Sequence, residues 1–118
     1  MSTHPNLVLM AILIPDDLTR KTARAIMSDN NLKEESDELK IGKQGYYIIV
    51  MEDDWDESHQ IKAPIHSIVL HELITYGYGE SVSWDELNKA KIDLDAWCDA
   101  NCHKYNCKYE IRVSANYW

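Results

Sequence analysis

Residues 65–74 read Ile65-His66-Ser67-Ile68-Val69-Leu70-His71-Glu72-Leu73-Ile74, and this stretch decides the fold. It supplies either a strand to a sheet or a helix to a connection. Behind Pro64, the apolar residues Ile65, Ile68, Val69, Leu73 and Ile74 fall at spacings that favour a short helix over a strand. His66, Ser67, His71 and Glu72 then form its polar side. Gly77 or Gly79 can stop such a helix in the left-handed conformation.

Working outward, Leu7–Ile14 (LVLMAILI) is short and continuously apolar, which reads as a strand buried on both faces. Asp16 and Asp17 follow where helix N-termini favour carboxylates. Leu18, Thr22, Ala25 and Ile26 keep helical spacing to about Ser28, and Asp29-Asn30-Asn31 ends that helix. Leu39-Lys40-Ile41, a turn over Gly42-Lys43-Gln44-Gly45, and Tyr46–Met51 (YYIIVM) make a hairpin. Ser83-Trp84-Asp85-Glu86 is a capping box. Behind it, Trp84, Leu87, Leu94, Trp97 and Cys98 mark one face of a long helix reaching about Tyr105. The last strand alternates: Tyr109, Ile111, Val113 and Ala115 on one face, Lys108, Glu110, Arg112 and Ser114 on the other.

The expected order is therefore β-α-β-β-α-α-β in one α+β domain, residues 1–118. Merging the last two helices into a split second crossover gives a ferredoxin-like βαββαβ pattern with a four-stranded antiparallel sheet. That topology sets Leu7–Ile14 and Tyr46–Met51 side by side at the centre, and the short and alternating strands at the edges.

Charge narrows the function. Twenty Asp and Glu against twelve Lys and Arg leave a net charge of −8. A field of that sign repels nucleic acid and anionic lipid, so neither is expected as a direct ligand, and a basic protein is favoured. The apolar run at Leu7–Ile14 is too short to span a bilayer and has neither a cationic segment before it nor a small-residue cleavage site after it. Three cysteines confined to residues 98–107 do not make a secreted disulfide framework, so a cytoplasmic protein is expected.

The catalytic and metal motifs are incomplete. His71-Glu72 opens a zinc-protease H-E-x-x-H pattern, but Thr75 stands where the second histidine must reach the metal. Cys98, Cys102, His103 and Cys107 lack the C-x₂-C knuckle of structural zinc sites, and Cys98 lies on the apolar stripe, where a thiol serves as a small hydrophobe. A Cys102–Cys107 disulfide is a further alternative. Tyr46 and Tyr47 are adjacent rather than two apart, so they point to opposite faces and make no RNA-stacking platform. No phosphate-binding glycine loop or nucleophile elbow occurs. Neither an enzyme nor a cofactor or metal site is expected.

The distinctive feature is acidity. Ten of the acids lie between Asp29 and Glu57, against only Lys33, Lys40 and Lys43. Under the expected topology Glu34, Glu35, Asp37 and Glu38 converge with Glu52, Asp53, Asp54, Asp56 and Glu57 into one acidic rim, with Trp55 as an apolar anchor inside it. The bland alternative is a pair of solvated loops. Tyr76-Gly77-Tyr78-Gly79 and Asn116-Tyr117-Trp118 are secondary aromatic spots. These features point to a non-enzymatic module that docks a basic, nucleic-acid-binding partner, in the manner of phage or mobile-element proteins that inhibit host defence complexes (anti-CRISPR or anti-restriction). A metal-dependent enzyme or metal-binding domain built on the acidic loop, His59 or the Cys98–Cys107 cluster is the alternative. Oligomeric state is left open.

Overall fold

The computed structural model describes residues 6–33, 38–75 and 81–116. In chain order the elements are β1 (Asn6–Pro15), α1 (Arg20–Asp29), β2 (Glu38–Ile41), β3 (Gln44–Val50), β4 (Trp55–Asp56), β5 (Ile61–Lys62), β6 (Ile68–Thr75), α2 (Trp84–Tyr105) and β7 (Cys107–Asn116). Five strands make one antiparallel sheet in the order β2-β3-β6-β1-β7, and β4 and β5 form a separate hairpin.

This corrects the ferredoxin-like βαββαβ expectation in one place above all. IHSIVLHELI does not form a helix. Its residues from Ile68 onward are β6, the central strand, inserted between Leu7–Ile14 and Tyr46–Met51, which therefore do not touch as neighbours. The sheet has five strands rather than four, and of the two helices expected between Tyr46–Met51 and the last strand only the second, α2, is a helix.

The physical reason is burial on both sides of the sheet. Ile68 and Leu70 enter a core with Leu9, Ala11, Leu13, Ile26, Tyr46, Ile48, Leu94 and Cys98 under the helices. Val69 enters a second core with Val8, Met10, Ile12, Ile49, Met51, Ile61 and Ala63 on the opposite face. Each such side chain removed from water contributes about 1.5–3 kcal/mol, whereas helix propensities of ordinary residues differ by less than about 1 kcal/mol. A strand buries all three consecutive apolar residues; a helix of that length leaves one in water.

Local expectations met mixed outcomes. β1 is buried on both faces, as its unbroken apolar run implies. α1 starts later than Asp16: Thr19 is its N-cap, accepting from the Thr22 amide, and Asp17 instead accepts from the Thr19 and Thr22 hydroxyls at 3.1 and 2.6 Å. Ala23, Ile26 and Met27 face the core, while Ala25 is exposed. α2 begins at the Ser83 cap, whose Oγ accepts from the Glu86 amide at 3.1 Å, and ends on left-handed Asn106. Its buried stripe is Ala90, Leu94, Cys98 and Cys102; Trp84, expected on that stripe, is 78% exposed.

Candidate functional site

The acidic loop lies on an excursion from the sheet between β3 and β6. Two hydrogen bonds close its neck: the Met51 amide donates to the Ser67 carbonyl (2.9 Å) and the His66 amide to the Met51 carbonyl (2.7 Å). Beyond the neck, Ile61 and Ala63 fill the second core and so press the excursion onto the sheet. Arg112 of β7 donates through Nη1 to the Lys62 carbonyl at 2.9 Å and ties down the hairpin's return arm.

The tip is held as well. Asp56 accepts at Oδ1 from the His59 backbone amide (3.0 Å) and from the same residue's ring Nδ1 (3.1 Å). Burial disfavours the Asp56 charge, but these hydrogen bonds outweigh it and hold the carboxyl below the usual range. Because both bonds come from three residues away, the pair closes a turn. The His59 ring lies 5.0 Å from that of His71 on β6, and the Tyr47 ring of β3 lies 6.1 Å from it, both tilted. Burial, with the neighbouring His59 second, pushes His71 down to about 4, so its imidazole is neutral at pH 7. Glu52, at the loop's start, accepts from Arg20 of α1 at 3.0 Å.

Glu52, Asp53, Trp55, Asp56 and Glu57 border one open cavity of about 560 Å³ together with Ile49, Val50, Met51 and Ser58. Trp55 is 50% exposed. Asp53, Asp54 and Glu57 are exposed, with Asp54 facing the neighbouring hollow beside Lys62, Pro64 and Arg112. The loop half of the expected site thus gathers as one surface around an aromatic ring.

The other half does not join it. Glu34, Glu35 and Asp37 lie outside the described residues. Glu38 turns away from the loop: its carboxylate occupies the space a Gly45 side chain would need and pairs with Lys40 at 3.2 Å. Tyr76–Gly79 and the side chains of Asn116, Tyr117 and Trp118 also lie outside the described residues.

Sequence reading missed two groups. His71, expected on the polar side of a helix, instead lies on the hairpin side of β6 with its ring against that of His59 in the loop; the β-branched pair Ile68-Val69 is the signal for a strand there. Glu72, beside it, points to the helix side of the sheet. Burial pushes its carboxyl up to about 7, Glu38 adding repulsion against the Gly45 amide and Lys40. The Gln44 amide, oriented by its hydrogen-bonding partners, donates to the two Glu72 oxygens at 2.6 and 2.9 Å.

The cysteines are free thiols: Cys98 and Cys102 are buried and Cys107 is half-buried. Burial pushes Cys98 and Cys102 up to about 12, so both are protonated at neutral pH. Among the described residues, no group of three or more His, Cys, Asp or Glu side chains is arranged to hold a metal ion. No helix there is long and apolar enough to cross a membrane. Comparison with protein-family models, curated proteins and solved structures found no match.

Proposed function

We propose that the chain is a non-enzymatic interaction module whose Glu52–Glu57 loop docks a basic, nucleic-acid-binding protein and so inhibits it. One observation carries the reading: Trp55 stands half out of the surface, ringed by carboxylates, on a hairpin that is fixed at its neck, its return arm and its tip. An anchored loop loses little conformational entropy on association, and that preorganisation favours binding. An aromatic ring flanked by acids accepts the aliphatic stem and the cation of Arg or Lys together. Exposed carboxylates steer a positively charged partner and give salt-sensitive association. The small size, acidity and lack of a complete catalytic motif suit an inhibitor of the phage or mobile-element type.

The test uses Asp53→Lys, Asp54→Lys and Glu57→Lys in one chain, leaving Asp56 and Glu52 with their structural partners. A pull-down from native lysate should retain a basic protein on the parent chain and lose it on the triple variant. With the recovered protein, affinity of the parent should fall steeply with salt, and Trp55→Ala should weaken it by about 2 kcal/mol or more. Equal affinity and equal salt dependence for parent and triple variant would leave the loop a solvated turn.

A further inference from the structure

The sheet ends on β7, a ten-residue edge strand that has β1 as its one partner among the described residues. Sheet edges present unpaired backbone donors and acceptors, and natural proteins blunt them by shortness, proline, bulges or like charges. The opposite edge, β2, is only four residues long. β7 has no proline and no glycine, runs in unbroken register with β1 from Cys107 to Asn116, and exposes Val113 by 50%.

Its charges are arranged about a centre. Register with β1 sets Tyr109 and Ile111 on the helix side, where both pack against the first core, and Glu110 and Arg112 on the hairpin side, where they pair with each other at the surface. In an antiparallel two-fold pairing, facing residues must both direct their backbone groups at the partner, so the axis has to pass through a residue position. An axis at Ile111 overlaps residues 107–115 of both copies. It sets Glu110 of each chain opposite Arg112 of the other, Ile111 opposite its own copy, and Tyr109 opposite Val113. An axis at Tyr109 pairs Lys108 with Glu110 but overlaps only residues 107–111, and an axis at Glu110 sets Lys108 against Arg112. The longest well-charged register is therefore self-complementary.

We propose that β7 is a homodimerisation edge, with two copies of the chain pairing antiparallel about Ile111 to make one continuous ten-stranded sheet. Arg112 is suited to the crossing. Its Nη1 is spent on the Lys62 carbonyl and its Nη2 meets Glu110 of its own chain, and the five N–H groups of the guanidinium still leave donors for Glu110 of the second copy.

Sedimentation equilibrium of the full chain over a concentration series tests this. The parent chain should dimerise. Glu110→Arg alone, or Arg112→Glu alone, sets like charges across both crossings and should raise Kd at least about tenfold. An equimolar mixture of those two variants restores opposite charges at both crossings and should regain the lost affinity as a heterodimer. A parent chain that stays monomeric at the highest concentration it tolerates would overturn the proposal. So would a dimer indifferent to both reversals, or a mixture no tighter than its components. Should a reversed chain fail to fold, amide exchange of the parent decides instead: β7 amides should gain protection with concentration, and concentration-independent exchange refutes the pairing.

Discussion

Glu72→Gln offers a sharp test of the packing around β6. The Glu72 carboxyl, pushed by burial from 4.5 to about 7, is disfavoured as an anion in the folded chain. Between those two values the folded state binds more protons than the unfolded state, so this group costs stability as pH rises from about 4.5 to 7 and nothing further above that. At about 1.4 kcal/mol per unit the ceiling is about 3.4 kcal/mol. The side chain is only half buried, and solvent screening reduces that figure to about 1–2 kcal/mol. Glutamine keeps the shape, can still accept from the Gly45 amide, and can pair with Gln44 after an amide rotation. Urea unfolding of both chains at pH 4, 6 and 8 should give equal stabilities at pH 4 and a variant about 1–2 kcal/mol more stable at pH 8. Because the difference between the two chains is read, other titrating groups cancel. A difference independent of pH would refute the reasoning and set Glu72 in water.

On the other face, His71 acts with the opposite sign: its folded value of about 4 lies below the unfolded 6.5, so stability should fall as pH drops through that window. His71→Leu should flatten this acid limb by about 2–3 kcal/mol, read from urea midpoints between pH 7 and 4.5. Ser83→Ala leaves the Glu86 amide without its side-chain acceptor and should cost about 0.5–2 kcal/mol in denaturant melts. Leu94→Ala, at a fully buried position, should cost about 2–5 kcal/mol, whereas Trp84→Ala, 78% exposed, should stay within about 0.5 kcal/mol. Reversal of that order would mean α2 presents a different face to the sheet.

Legibility from sequence followed the physics of each segment. β1 and the existence of the β2–β3 hairpin were readable because an unbroken apolar run and a glycine-bearing turn each have one economical solution, although the turn is Gly42-Lys43 alone and Gln44 and Gly45 already belong to β3. Ser83 was readable because capping is local. IHSIVLHELI misled because Ile68, Val69 and Leu70 are buried on both faces, which erases the period-2 signal, while His71 and Glu72 are half-buried on opposite sides. The β-branched pair Ile68-Val69 was the cue for a strand. Trp55 and its acids stood out by composition alone. The ring cluster beside them, His71 tilted against both His59 and Tyr47, joins residues from three separate segments and exists only once β6 lies beside β3. Glu38 failed to join the rim because Gly45, diagonally across from it on β3, offers a vacant side-chain position that the Glu38 carboxylate fills.

The placement of β1 between β6 and β7 has a consequence during synthesis. This most apolar of the strands emerges first, yet Leu13 finds its sheet partners only at Ile68 and Tyr109, and Leu7 only at Thr75 and Ala115. The β2–β3 hairpin and α1 can form while the ribosome is still working, but neither supplies β1 with a strand to pair with. A nascent chain therefore carries an unpaired hydrophobic segment from the completion of β1 until β6 has been made, a state prone to adhesion between neighbouring polysomes and attractive to holdase chaperones. Slowing elongation between the codons of β1 and those of β6 should prolong that exposure and lower the soluble yield.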